Sequence, residues 1–152
     1  MQSKRIMFIC HGNICRSPMA EFIFKKLVAD KNLIDYFIIN SCATSTEEIG
    51  NPIYPPAKRE LAKMGVPFTD HRSVQLKKSD YENYDMFVVM DSANYRNTLR
   101  IFGEDKQNKV STLLSHAGQN RDVSDPWYTG DFTTCYNDIL LGCTAILNKI
   151  LG

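Results

Sequence analysis

The chain carries no excess of charge of either sign. Its 18 Lys and Arg stand against 17 Asp and Glu, a net charge of +1, and the basic residues form no stripe. Nucleic acid is therefore not an expected partner, since binding to a phosphate backbone shows as clustered Lys and Arg. No apolar run reaches membrane-spanning length, so no membrane partner is expected either. Lys4-Arg5 ahead of Ile6 to Ile9 imitates a secretion signal, but the apolar stretch is short and runs straight into His11-Gly12-Asn13. A cytoplasmic location is expected. The five cysteines, Cys10, Cys15, Cys42, Cys135 and Cys143, are odd in number and lack the paired spacing of a zinc site. That pattern argues against a disulfide framework and against a structural metal. Repeats, low-complexity tracts and linkers are missing too. With 152 residues, 43% hydrophobic and 23% charged, the composition is that of one globular domain spanning 1–152.

What the sequence does hold is concentrated in Cys10-His11-Gly12-Asn13-Ile14-Cys15-Arg16-Ser17-Pro18. The apolar run Ile6-Met7-Phe8-Ile9 predicts a buried strand that ends at Cys10, and Ser17-Pro18 predicts a helix start with Ser17 as cap and proline at the first helical position. Strand, loop and helix in this order aim backbone N–H groups at an anion. Cys10 then faces the positive end of the helix dipole and the Arg16 guanidinium, both of which favour thiolate over thiol and make it a nucleophile. Five residues separate Cys10 from Arg16, enough for the loop to curl so that Arg16 grips two phosphate oxygens while Cys10 approaches phosphorus from below. Gly12 and Asn13 are expected to take the left-handed conformations that a ring of inward N–H groups needs. The phosphate-binding loop is thus His11 to Arg16, and it needs no metal and no cofactor to neutralise the transition state. Cys15 has two readings: an oxidation partner for Cys10, or a small side chain filling space beneath the loop.

Further along, residues 18 to 30 read as an amphipathic helix with Glu21, Lys25 and Lys26 between apolar positions, and Phe37-Ile38-Ile39 as a second buried strand. Residues 41 to 56, rich in small polar residues and proline, read as a long ordered loop at the substrate edge. A helix is expected over Ala57–Met64, a short helical piece capped by Ser79 with Glu82, a third strand over Met86–Met90, a helix from Ala93 to Phe102, a weaker strand at 109–113 and a last helix from Phe132 to Leu151. Strands alternating with helices imply an α/β fold: a small four-stranded parallel sheet flanked by helices on both faces, Rossmann-like or flavodoxin-like.

Cleaving a phosphate ester also requires an acid for the leaving oxygen. Asp125, in Asp125-Pro126-Trp127-Tyr128-Thr129-Gly130, is the candidate. Trp127 and Tyr128 are expected to cover the carboxyl and to stack on a substrate ring. Taken alone, the stretch reads more readily as a turn with surface aromatics; joined to the Cys10 loop, the balance reverses.

The Cys10–Pro18 loop together with Asp125–Gly130 resembles the low-molecular-weight protein tyrosine phosphatases, nucleophile first and acid last, over essentially the whole chain. The resemblance implies that Cys10 attacks phosphorus to give a cysteinyl-phosphate, that Arg16 and the loop amides hold the oxygens, and that Asp125 protonates the tyrosyl oxygen and then activates water. It implies that Ser17 hydrogen-bonds the Cys10 sulfur, and that Asn13, Ser41 and His71 hold the loop in shape; His71 by itself reads as a surface or capping residue. The implied partners are phosphotyrosine-containing proteins, with inorganic phosphate as product. Glu47-Glu48 stands where relatives often carry an aromatic beside the cleft, Tyr54 is a candidate for that place, and two acids at the rim favour basic flanking sequence.

Rivals differ in what they need. An arsenate reductase of the same fold needs relay cysteines near the third strand, and Tyr81 to Asn97 has none. Protein arginine phosphatases tend to carry threonine where this chain has Ile14. A non-enzymatic phosphate-binding or redox-sensing module has no use for Asp125.

Overall fold

The computed structural model describes residues 3–152; residues 1 and 2 of the expected domain lie outside them. Strands β1 (Lys4–Cys10), β2 (Phe37–Ala43), β3 (Met86–Val89) and β4 (Val110–Thr112) alternate with helices α1 (Arg16–Asp30), α2 (Pro55–Lys63), α3 (Ser92–Phe102), α4 (Pro126–Thr129) and α5 (Phe132–Leu151). All pairings are parallel, in the order β2-β1-β3-β4. The expected four-stranded sheet with helices on both faces is what forms.

Alternation along β1 builds the two cores. Ile6, Phe8 and Cys10 turn toward α1 and α5, while Met7 and Ile9 turn toward Phe87, Val89 and Phe102 on the opposite face. Phe8 packs on Phe24 with ring centroids 5.8 Å apart, and Phe87 on Phe102 at 4.8 Å. The chain leaves β1 for β2 on one side and returns for β3 on the other, so the strand order reverses at the carboxyl end of β1. A crevice opens at such a point. Cys10 occupies it.

Four local expectations are corrected. Helix α1 begins at Arg16 with Cys15 as its cap, and no side chain caps it. Ser17 lies inside the first turn, because its hydroxyl and N–H are engaged by the Cys10 sulfur. Glu21, read as a polar spacer, is 5% exposed. In β2, Ile38 is exposed between buried Phe37 and Ile39, since β2 is an edge strand whose outer face is uncovered there. The short helical piece runs over Lys78–Asn83 and is closed by Asp80, whose carboxylate accepts from the Lys77 N–H at 2.8 Å, not by Ser79 and Glu82. Asp80 reaches back to the amide that opens the turn. No helix among the described residues is long and apolar enough to cross a membrane.

Candidate active site

The loop after β1 closes around the Cys10 sulfur. The N–H groups of Asn13 and Ser17 point at Sγ from 3.3 and 3.4 Å, and the Ser17 hydroxyl lies 3.0 Å away. Because Asn13 Nδ2 donates to Ser17 Oγ at 2.8 Å, the hydroxyl proton is free to turn toward the sulfur. Three donors on one sulfur are a setting for negative charge on that atom. Asn13 takes the left-handed conformation, φ 59°, that the tight ring requires. Gly12, expected to share it, has an ordinary negative φ. A Cβ there would stand 3.3 Å from Glu48 Cγ, a tight contact with a half-buried, flexible side chain.

Behind the ring lies a buried polar network. Asn13 Nδ2 also donates to Ser41 Oγ at 3.0 Å, and Ser41 donates to Glu21 Oε1 at 2.6 Å. On its other side Asn13 Oδ1 accepts from His71 Nε2 at 3.0 Å and from the Val74 N–H at 3.2 Å. Ser73 Oγ donates to the Gly12 carbonyl at 2.8 Å. The loop's unusual backbone is thus held from outside by three segments of chain, β2, residues 71–74 and, through Ser41, α1.

Arg16 is 2% exposed, and its guanidinium is anchored rather than free. Nη1 donates to Asp91 Oδ2 at 2.8 Å and to the Val123 carbonyl at 2.9 Å, leaving the Nε and Nη2 edge for the cleft, where Nη2 stands 3.4 Å from Asp125 Oδ2. Burial opposes its charge, yet Cys10, Asp125 and Asp91 together outweigh burial and raise its pKa above the ordinary arginine value. Asp91 is itself fixed as the cap of α3, with Oδ1 accepting from the Asn94 N–H at 2.7 Å.

The cleft holds about 120 Å³, with the loop from Cys10 to Arg16 as its floor and Glu47, Glu48, Asp125, Trp127 and Tyr128 around its mouth. Asp125 caps α4 through Oδ1, which accepts from the Trp127 N–H at 3.0 Å. Trp127 is half exposed and Tyr128 is 85% exposed, while the Asp125 carboxylate turns to its own helix and to Arg16. Glu47 pairs with His11 at 3.0 Å, and Glu48 accepts from Asn51 Nδ2 at 2.8 Å.

Known proteins resemble this chain over nearly its whole length. Residues 5–151 match the family model described as low molecular weight phosphotyrosine protein phosphatase. The rat protein of that name is 38% identical over 97% of this chain and 96% of its own length. The crystal structure of YfkJ from Bacillus subtilis superposes with a TM-score of 0.95 at 31% identity, covering 99% of this chain and 96% of that one. A drosophila arginine phosphatase, DARP, superposes at 0.88 with 26% identity, over 97% of this chain and 98% of that one. The chain belongs to the low molecular weight phosphotyrosine protein phosphatases.

In this phosphatase the residues singled out in the sequence converge, with one exception. Cys10, His11, Gly12, Asn13, Ile14, Cys15, Arg16, Glu47, Asp125, Trp127 and Tyr128 line one cleft, and Ser17, Ser41 and His71 lie in the network behind it. Tyr54 is not part of the lining; its ring packs behind Trp127 at 4.7 Å. The site roles of three residues went unrecognised in the sequence, although Asp91 was read correctly as the entry to α3. Glu21 carried a signal, its spacing of four from Lys25, which donates to it at 2.6 Å. Asp91 carried another, an acid directly after an apolar strand and before a helix. Ser73 carried none. Burial pushes the Cys15 thiol well above its ordinary pKa, with Cys10 adding to the effect, and pushes Cys135 up to about 12.

Proposed function

We propose that this chain hydrolyses phosphotyrosine on proteins through a cysteinyl-phosphate intermediate, with Cys10 as nucleophile, Arg16 as phosphate clamp and Asp125 as acid and then base, all within one domain. The observation that carries this reading is the meeting of the Cys10 sulfur, the free edge of Arg16 and the Asp125 carboxylate in a single cleft. The Cys10 thiolate attacks phosphorus, the P–O bond to the ring breaks, and the tyrosyl oxygen leaves with the proton of Asp125. Water then attacks phosphorus, gives its proton to the Asp125 carboxylate, and the sulfur leaves as thiolate, releasing inorganic phosphate. Ser17 and the loop amides steady the charge on sulfur at that point. Arg16 and the inward amides supply the positive field that the three phosphoryl oxygens require.

Ile14 on the cleft lining favours an aryl ring over a phosphoguanidine group, and Trp127 and Tyr128 give such a ring a face to stack on. Glu47 and Glu48, which pair with no Lys or Arg among the described residues, favour substrates with basic residues beside the phosphotyrosine. All five cysteines are free and buried, which fits a reducing, cytoplasmic setting. Under hydrogen peroxide, Cys10 and Cys15 are expected to lose two protons and two electrons and join as a disulfide. A Cys15→Ser chain would then lose its recovery of activity with thiol reductant.

The test is an acid quench during turnover of a phosphotyrosine peptide, followed by mass analysis of the protein. A phosphoryl adduct on Cys10, missing in Cys10→Ser, is expected. Turnover without any covalent adduct, or turnover of phosphoarginine alone, would refute the proposal.

A further inference from the structure

We infer that Tyr54 is a positioning residue for Asp125, a latch between the phosphate loop and the loop carrying the acid. The inference rests on the phosphatase mechanism above. Tyr54 stands immediately before Pro55 at the start of α2, outside the cleft. Its backbone is held on both sides: its N–H donates to the Ile14 carbonyl at 2.9 Å, and its own carbonyl accepts from the N–H groups of Ala57 and Lys58 at 2.9 and 3.2 Å. The phosphate loop therefore sets where the Tyr54 ring stands. That ring meets the Trp127 indole at 4.7 Å between centroids, inclined by 51°, and Phe132 at the head of α5 at 6.2 Å. The backbone N–H of Trp127 in turn donates to Asp125 Oδ1 at 3.0 Å.

The contacts form a closed path from the Ile14 carbonyl through Tyr54 and Trp127 to the carboxyl that must reach the leaving oxygen. The direct link across the cleft is weaker, the 3.4 Å contact between Asp125 and Arg16. Without the ring, Trp127 loses the surface it lies on; the Arg16 bond to the Val123 carbonyl still holds the base of the acid loop, but the Asp125 carboxyl itself is tied to the phosphate loop by that longer contact alone. A small displacement of an acid is costly in proportion to how much the leaving group needs its proton. Tyrosine, with a phenol pKa of about 10, needs it; a nitrophenol does so far less.

The experiment measures kcat/KM across aryl phosphates of rising phenol pKa for wild type, Tyr54→Ala, Tyr54→Leu, Tyr54→Phe and Asp125→Asn, with a thermal melt of each. Tyr54→Ala is expected to lose about tenfold on phosphotyrosine and under about twofold on the nitrophenyl ester. Tyr54→Leu, which keeps bulk beneath α2, shows the same tilt if the alanine variant unfolds. Tyr54→Phe matches wild type, since the ring and not the hydroxyl makes the contact. Asp125→Asn gives the steepest dependence. A uniform loss across all esters in both Ala and Leu variants, or a failure of phenylalanine to restore the wild-type slope, overturns the latch. If Asp125→Asn itself shows no steeper slope than wild type, the acid assignment falls, and the latch with it.

Discussion

Asp91 holds two things at once, and replacing it by alanine and by asparagine separates them. One oxygen caps α3 through the Asn94 N–H at 2.7 Å; the other holds Arg16 Nη1 at 2.8 Å. The Arg16 side chain is 3% exposed and that of Asp91 19%, so the pair is largely out of water. Alanine removes the cap, about 1 kcal/mol, and strips a buried cation of its anchor, so the total cost is about 3–5 kcal/mol. Asparagine has a single oxygen: with it capping α3, its NH2 group faces Arg16 Nη1, so the cap survives and the acceptor for Arg16 does not. Its cost is therefore smaller than alanine's by about the cap alone, about 2–4 kcal/mol. Against a stability of roughly 5–15 kcal/mol these are large effects, and at about 3 °C per kcal/mol they lower the melting temperature by about 12 °C and about 9 °C respectively. With only the Val123 carbonyl left on Nη1, Arg16 is held less firmly against the phosphate, so kcat/KM for an aryl phosphate falls by about tenfold to a hundredfold in the alanine variant. Urea unfolding followed by circular dichroism gives the first quantity and steady-state kinetics the second. Equal stability of wild type and Asp91→Ala, or equal losses in the two variants, would refute the reasoning.

Gly142 in α5 lies so close to the fully buried Leu113 that an added Cβ would sit 2.4 Å from its Cγ and 3.1 Å from its carbonyl oxygen; Gly142→Ala is expected to cost about 1–3 kcal/mol in urea unfolding despite alanine's better helix propensity. His116 lies between Ser111 Oγ at 2.8 Å and the Lys149 ammonium at 3.4 Å, and burial first, then Lys149, lowers its pKa. Its folded value lies below the unfolded one of about 6.5, so its contribution is complete above about pH 6.5 and is lost as pH falls through the folded value. Unfolding measured from neutral to mildly acidic pH should show this loss, and His116→Gln should reduce the slope. At the cleft mouth, Glu47→Gln with Glu48→Gln should shrink the preference for peptides with Lys or Arg beside the phosphotyrosine by about fivefold at low salt, and raised salt should erase the difference.

Much of the catalytic cleft was legible because its chemistry is local in sequence. Cys10, Asn13 and Arg16 sit on one strand-to-helix turn, where spacing alone fixes who faces whom, and the alternation of apolar strands and helices specified the sheet. What was not legible depends on partners distant in the chain. Ser17 looks like a helix cap until the sulfur of Cys10 claims its hydroxyl. Gly12 looks like a left-handed residue, yet it is Asn13 beside it that takes the positive φ. Glu21 reads as a solvated spacer, and only Ser41 and Lys25 converging on it explain its burial. Tyr54 is an aromatic in a proline-rich loop, and its place behind Trp127 follows from how α2 and α4 meet, which no local pattern encodes.

The central claim is that Cys10 and Asp125 divide one phosphoryl transfer between them. It is tested most directly by hydrolysis of an aryl phosphate by purified protein, in chelator and reductant at mildly acidic pH, for wild type, Cys10→Ser and Asp125→Ala. Activity is expected to vanish in the first variant and to fall by about two to four orders of magnitude in the second. Full activity in Cys10→Ser would contradict the account.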